Sequence, residues 1–338
     1  WCALNRIFGF APRTGLELAR HFGGAAAVFS ESPHNLAGFP GVGSHYAGMI
    51  SEAAVDAAAC ELEALCADGC RFLCIEDERY PLMMKECEDA PAGLYIRSSS
   101  EPEDVFNVRP AIGIVGTRDI TSYGVEWCTK IVNAMGRACI KPLIVSGLAI
   151  GTDITAHLAA LDCGLPTVAV MPTGIDAVYP FRHGMAADRI SSSCGSALVT
   201  DYPPGTAPKA INFLRRNRII AGMCDAVILI ESRRKGGGLM TCRLAGSYNR
   251  EVYALPGRID DDCSGGCNSL IKAKMAEPID DVEELIDALG LGAGECAGKM
   301  DIRSYVYKKY RDSMGNEDAD RMASVAEAVS RNREISLD

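Results

Sequence analysis

Residues 111–171, "AIGIVGTRDITSYGVEWCTKIVNAMGRACIKPLIVSGLAIGTDITAHLAALDCGLPTVAVM", hold three apolar runs, AIGIVG, PLIVSG and PTVAVM, separated by two segments of helical length, 122–139 and 151–163. Each run is apolar throughout and does not alternate with polar residues. A strand of that kind is buried on both faces, as in a parallel sheet covered by helices. The same pattern continues outward. FLCI and GLYI precede the stretch, while SALVT, DAVILIE and EVYALPG follow it with further helix-length segments at 208–222 and 238–249. Strand and helix in alternation are the βαβ signature of a doubly wound α/β fold.

The flanks read differently. Residues 1 to about 65 form short helical segments punctuated by glycine, and "FPGVGSHYAGMI" (39–50) resembles the hairpin of a helix-hairpin-helix motif. Backbone N–H groups in such a turn face a phosphate, but a plain turn between two packed helices fits the string equally. After about residue 290 the periodicity weakens and the charges mix. The expected organisation is a helical domain of the SAM or helix-hairpin-helix type at 1–65, an α/β domain at 70–290, and a helical or partly disordered appendage at 291–338.

Composition narrows the class. With 48% hydrophobic and 23% charged residues the chain is an ordinary globular protein. No run of 18 apolar residues is present, so no membrane partner is expected. The opening "WCALNRIFGFAPRTG" has no basic segment ahead of an apolar core and cleavage site. The fifteen cysteines are odd in number and scattered through apolar runs, the pattern of free thiols in a reducing cytoplasm. The densest group, Cys60, Cys66, Cys70 and Cys74, lacks a CxxC knuckle, and no metal site is expected.

Charge is distributed unevenly. The chain carries −10, yet residues 201–258 hold ten basic and four acidic side chains, and "FLRRNRIIAG" (213–222) places three arginines in four positions. A solvated helix face interleaves both signs, so the bias points to a polyanion. On a helix Arg215 and Arg218 share a face and Arg216 points elsewhere, so at least one of the three is structural. If Arg216 or Arg218 is that one, an acid such as Asp225 is a candidate partner. Glycine-bearing turns after successive strands supply backbone donors for anions: "IVGTRD" (Gly116, Thr117, Arg118), "VSGLAIGTD" (Ser146, Gly147, Gly151), "MPTGID" (Thr173, Gly174) and "RKGGGLMT" (236–241). A single strand of nucleic acid and a nucleotide diphosphate both satisfy such turns.

Enzyme signals are few. The five histidines are dispersed, no Ser/His/Asp, HExxH or GxxxxGK[ST] pattern occurs, and VGTRDI is not the dinucleotide fingerprint. Asp153 and His157 lie one helical turn apart, and a packing role is the expectation. A nucleotide-processing enzyme of the phosphoribohydrolase kind, the alternative on a related Rossmann-like fold, carries a PGGxGTxxE loop. "KGGGLMTCRLA" here has neither that proline nor that glutamate. A protein-interaction scaffold would need no phosphate-type turns.

The ordered series "GIVGTR", "SGLAIGTDITAHLAAL", "GIDAVYP", "YPPGTAPKAINFLRRNRIIAG", "GGGLMT", "EVYALPG" and "SGGCNSLI" resembles the DprA/Smf family of DNA-processing proteins over about residues 70–278. The resemblance implies an extended Rossmann-like, mostly parallel sheet that binds single-stranded DNA without catalysis or cofactor, forms a homodimer, and loads RecA recombinase onto incoming strands during natural transformation. By position in these motifs it implies DNA-binding roles for Arg118, Gly147, Gly174, Lys209, Arg215, Arg216, Asn217, Arg218 and Gly238, and the anion-seeking turns add Gly116, Thr117, Ser146 and Gly151 to the expected single-strand site. The chain departs from the family pattern at turn positions: GTD at 151–153 for GID, VTDYPPG at 199–205, His183 where asparagine is common, and GGGLMT at 236–241. The strand is expected to cross the turns at 116–118, 146–151 and 174 with the 209–218 segment alongside, with a log–log salt slope of about −0.7 per phosphate contact.

Overall fold

The computed structural model describes residues 1–107, 110–292, 315, 318–322 and 324–325. Nine strands form one sheet: β1 (Cys70–Cys74), β2 (Gly93–Arg97), β3 (Ala111–Val115), β4 (Leu143–Ser146), β5 (Thr167–Val170), β6 (Ala197–Thr200), β7 (Ala226–Leu229), β8 (Glu251–Ala254) and β9 (Glu277–Pro278). Their spatial order is β1-β2-β6-β5-β4-β3-β7-β8-β9. Strands from β6 to β9 pair in parallel, whereas β2 pairs antiparallel with both β1 and β6. The fold is therefore α/β and Rossmann-like, with a mostly parallel sheet.

The apolar runs are explained by what each face meets. Ala111 and Val115 of β3 and Val227 and Leu229 of β7 join a core with Ile219 and Ile220 of the Ala210–Met223 helix and Leu239 and Cys242 of the Gly237–Ser247 helix. Ile112, Ile114, Ala226 and Ile228 point the other way, onto Ile131, Val132 and Met135 of the Ser122–Arg137 helix and Ala156 and Ala160 of the Thr152–Asp162 helix. Successive side chains leave opposite faces of a strand, so burial on both sides requires apolar residues at every position.

From β3 the chain adds β4, β5 and β6 to one side, then returns to add β7, β8 and β9 to the other. The direction of winding thus reverses between β3 and β7. In such sheets the loops leaving the two strands splay apart at the carboxyl edge and open a crevice.

Residues Trp1–Gly292 form one compact unit. The N-terminal helices have their own core of Leu4, Phe8, Leu18, Val28, Leu36 and Ala47. Asn5 Nδ2 donates to Asp201 O at 2.8 Å, tying these helices to the end of β6. Within the 39–50 string, residues 39–42 turn between the Pro33–Gly38 and Gly43–Met49 helices, and the second of these helices makes up most of the rest. Most of the expected 291–338 appendage lies outside the described residues.

Candidate nucleic-acid interface

The crevice at the β3/β7 switch is a cleft of about 700 Å³. The turn after β3 (Gly116, Thr117, Arg118, Asp119) forms one wall, and the segment after β7 (Ser232, Arg233, Lys235 to Gly238, Thr241) the other. Phe213, Arg216 and Asn217 of the Ala210–Met223 helix line it too, with Asp153 and Tyr179. Gly116 and Gly238 let the walls meet. A Cβ on Gly238 would lie 3.2 Å from Gly116 Cα and 2.8 Å from a Leu229 methyl, so any side chain there would push the turns apart.

Backbone donors at the cleft come from one helix above the others. The Gly237–Ser247 helix begins at Gly236 with no side-chain cap, and Gly237 and Gly238 line the cleft. Its first amides and the positive end of its dipole suit an anion. The neighbouring Thr152–Asp162 terminus is occupied instead, because Thr152 N and Oγ1 both donate to Thr117 O, at 3.1 and 3.2 Å. The Ser122–Arg137 terminus is occupied as well. Buried Glu231 accepts from Thr121 N at 2.9 Å and Thr121 Oγ1 at 2.6 Å.

The three arginines of RRNR separate. Arg216 turns toward the cleft, 4.0 Å from Asp153 Oδ2, with Nη2 donating to Gly147 O at 3.1 Å. Its Nε finds no hydrogen-bond partner among the described residues. A Cβ on Gly147 would sit 1.7 Å from Arg216 Nη1, so only glycine leaves room for the guanidinium. Burial holds Asp153 above the usual carboxylate range and Arg216 below its ordinary value, and their mutual attraction opposes both shifts. The pair is desolvated and incompletely hydrogen-bonded.

Arg218 and Arg215, both expected at the binding face, contact their own chain. Arg218 is 6% exposed and pairs with Asp201, while its Nη1 donates to Asp89 O. Arg215 Nη2 donates to Gly9 O at 2.9 Å, and the guanidinium lies 4.3 Å from the Phe10 ring centroid. The acid that holds this helix is Asp201, not Asp225, whose Oδ2 accepts from Ala111 N. Helical spacing placed Arg215 and Arg218 on one face; that face meets the N-terminal helices and the Asp89 loop.

Other expected residues divide similarly. Gly116, Thr117, Arg118, Arg216, Asn217 and Gly238 line the cleft. Gly147 sits behind it against Arg216, and Gly151 packs on the carbonyls of Thr117 and Arg118. Lys209 is exposed at the head of the helix between the cleft residues Pro208 and Ala210. Ser146 is fully buried, donating to Ile114 O at 2.6 Å, so it braces β4 against β3. Gly174 stands apart, packed on Pro203 and Pro204, with its N–H donating to Thr206 O at 3.1 Å.

Sequence reasoning passed over Phe213 and Tyr179. Their rings meet edge to face at 5.4 Å, and exposed Arg118 lies 4.8 Å from the Phe213 centroid. Aromatic residues interleaved with basic ones were the available signal. His157 takes the packing role. Thr167 Oγ1 donates to Ile144 O and so accepts from His157 Nδ1 at 2.7 Å, and burial pushes the imidazole down to about 3. Among the described residues no group of three or more His, Cys, Asp or Glu side chains is placed to hold a metal ion, and no helix is long and apolar enough to cross a membrane.

The family model described as DNA recombination-mediator protein A matches residues 71–290. Protein Smf of Synechocystis is 32% identical over 291 residues, 86% of this chain and 72% of its own length. DNA processing protein DprA of Streptococcus pneumoniae is 37% identical over 210 residues, 62% of this chain and 71% of its own. The solved structure of the pneumococcal protein aligns with a TM-score of 0.71 at 28% identity, covering 84% of this chain and 95% of that one. DNA processing protein A from Helicobacter pylori, solved to show its single-stranded DNA binding mode, aligns at 0.57 with 26% identity over 64% and 95%. With the β3/β7 cleft, the RNRIIAG helix and these matches together, the chain belongs to the DNA recombination-mediator protein A family, the DprA/Smf proteins.

Proposed function

We propose that the β3/β7 cleft binds single-stranded DNA, and that the protein acts as a recombination mediator without catalytic turnover. The observation that carries this reading is the pairing of chemistries in one place. Exposed Arg118 over the Phe213 ring offers a cation and an aromatic face, and the uncapped Gly237–Ser247 terminus offers anion contacts in the same cleft. A single strand presents phosphates and unpaired bases together, which a duplex does not. Family membership supports the finer parts of the proposal: protection of incoming strands and delivery to RecA during natural transformation, action as a homodimer, and work in the cytoplasm.

The test is fluorescence anisotropy with labelled oligo-dT and a matched duplex at several salt concentrations, for wild type and Arg118→Glu. Salt-sensitive preference for the single strand, abolished by the charge reversal, is the expected result. No preference for single strands in the wild type would overturn the reading and direct attention to hydrolysis of nucleoside monophosphates, the phosphoribohydrolase-like alternative.

A further inference from the structure

Beside the cleft stands a second aromatic and basic element. Tyr179 lines the cleft and is 42% exposed; two residues on, Phe181 is 93% exposed and Met185 is 87% exposed. Arg182, between them, is exposed as well. Large apolar side chains held in water at this level need a reason, because burying a phenylalanine is favourable. A loop free to collapse would cover them.

The segment is held open from beneath. His183 is 8% exposed, and its Nδ1 donates to Leu148 O at 2.8 Å, anchoring the Phe181–His183 turn to the loop that follows β4. Leu148 is itself fixed, fully buried with φ of 57°. The helix Gly184–Ser192 then buries Ala187 and Ile190 against the sheet. His183 is one of the positions where this chain departs from the family pattern, and its imidazole is the post on which the exposed Phe181–Arg182 tip stands.

We propose that Phe181 and Arg182 form a second stacking platform for single-stranded DNA, on which a strand leaving the cleft past Tyr179 rests an unpaired base on the Phe181 ring and a phosphate on Arg182. This inference rests on the cleft being the single-strand site. Continuity selects the occupant. Tyr179 belongs to the cleft wall and to this element alike, touching Phe213 at 5.4 Å on the cleft side. An aromatic face next to a cation with no ion pair among the described residues is the combination that tracks a nucleic-acid strand.

The experiment measures affinity for oligo-dT of about 4 and about 16 nucleotides, the range that single-strand sites cover, in wild type, Phe181→Ala, Phe181→Trp and Arg182→Ala. Phe181→Ala is expected to weaken the long oligonucleotide about 5- to 100-fold and leave the short one unchanged, with no change in salt slope. Phe181→Trp should restore affinity, with tryptophan emission quenched on binding. Arg182→Ala should flatten the slope for the long oligonucleotide by about 0.7. If wild type binds single strands and Phe181→Ala binds both lengths unchanged, the platform is refuted while the cleft stands. If wild type binds neither length, the cleft reading itself has failed. A shift in sedimentation for Phe181→Ala without loss of DNA affinity would make the patch a contact between copies of the chain and overturn the proposal.

Discussion

Replacing Arg218 with methionine tests the division of labour within the RRNR helix. The Arg218 and Asp201 side chains are 8% and 4% exposed, and Asp201 Oδ1 has no hydrogen-bond partner among the described residues. Removing the guanidinium strands the carboxylate in a low-dielectric site, at a cost of about 3–5 kcal/mol. That is a large share of the roughly 5–15 kcal/mol that holds a domain folded. The loss also reaches beyond the helix. Arg218 ties down Asp89 O, and the Asp201 carbonyl receives Asn5 from the first N-terminal helix.

Urea unfolding of wild type, Arg218→Met, Asp201→Leu and the double variant closes a cycle. The double variant should recover most of the loss, because apolar residues of similar volume replace a buried pair at little cost. Titration adds a sign. Burial already raises the Asp201 carboxyl above its ordinary value and Arg218 opposes that shift. Without Arg218 the folded variant takes up that proton at higher pH than the folded wild type. The deficit of Arg218→Met therefore shrinks as pH falls from 7 through the raised range in which the variant's Asp201 takes up its proton, and stops shrinking once the wild-type carboxyl is protonated too. A deficit under about 1 kcal/mol at pH 7, or a double variant no better than the singles, would refute the assignment of Arg218 to an internal pair.

Other perturbations separate binding from folding. Arg118→Ala removes an exposed side chain and should change stability by no more than about 0.5 kcal/mol, read by the same urea melts, while weakening oligo-dT binding. Gly147→Ala drives a methyl into the Arg216 guanidinium and should cost about 1–3 kcal/mol, with a loss of DNA affinity that Arg216→Ala does not deepen. His157 is held neutral by burial, its imidazole pushed down to about 3. The unfolded chain binds that proton near 6.5, so wild type should lose about 1.4 kcal/mol per pH unit below that value. His157→Gln should lack this slope, and parallel slopes in thermal melts between pH 6.5 and 4.5 would show that the imidazole does not titrate as buried.

The strands were legible because burial on both faces leaves its mark at every residue. AIGIV, LIVS, TVAV and AVIL could be read without knowing their neighbours. The two-residue β9 carries no such mark, since Glu277 and Pro278 are exposed and only pair with Tyr253 and Ala254. In the candidate site, turn glycines were visible as local punctuation, but which turns meet is a property of strand order. Gly116 and Gly238 come together only because β7 returns to lie beside β3; Gly174, equally conspicuous as a sequence, follows β5, two strands from β3. The fate of Arg218 was illegible for the same reason. Its partner lies 17 residues away, at the end of a strand three places from β3 in the sheet.

That sorting bears on the opening imbalance of charge. Residues 201–258 carry an excess of six positive charges, yet much of it never faces solvent as free charge. Arg218 is spent on Asp201, Arg250 is buried against Glu86 and Met83 O, and Arg258 is paired with Asp260. The cations that line the cleft are Arg118, Arg216, Arg233 and Lys235, and Arg233 has Asp119 at 3.9 Å. Counter-ion release depends on phosphates actually neutralised, about −0.7 in log–log slope for each on a single strand. A strand held by the cleft alone should therefore show a slope near −2 to −3 for a short oligo-dT. A slope of about −5 or steeper would mean that basic residues outside the cleft lining join the contact; only if Arg218→Met then flattened it would the buried pair with Asp201 have to open on binding.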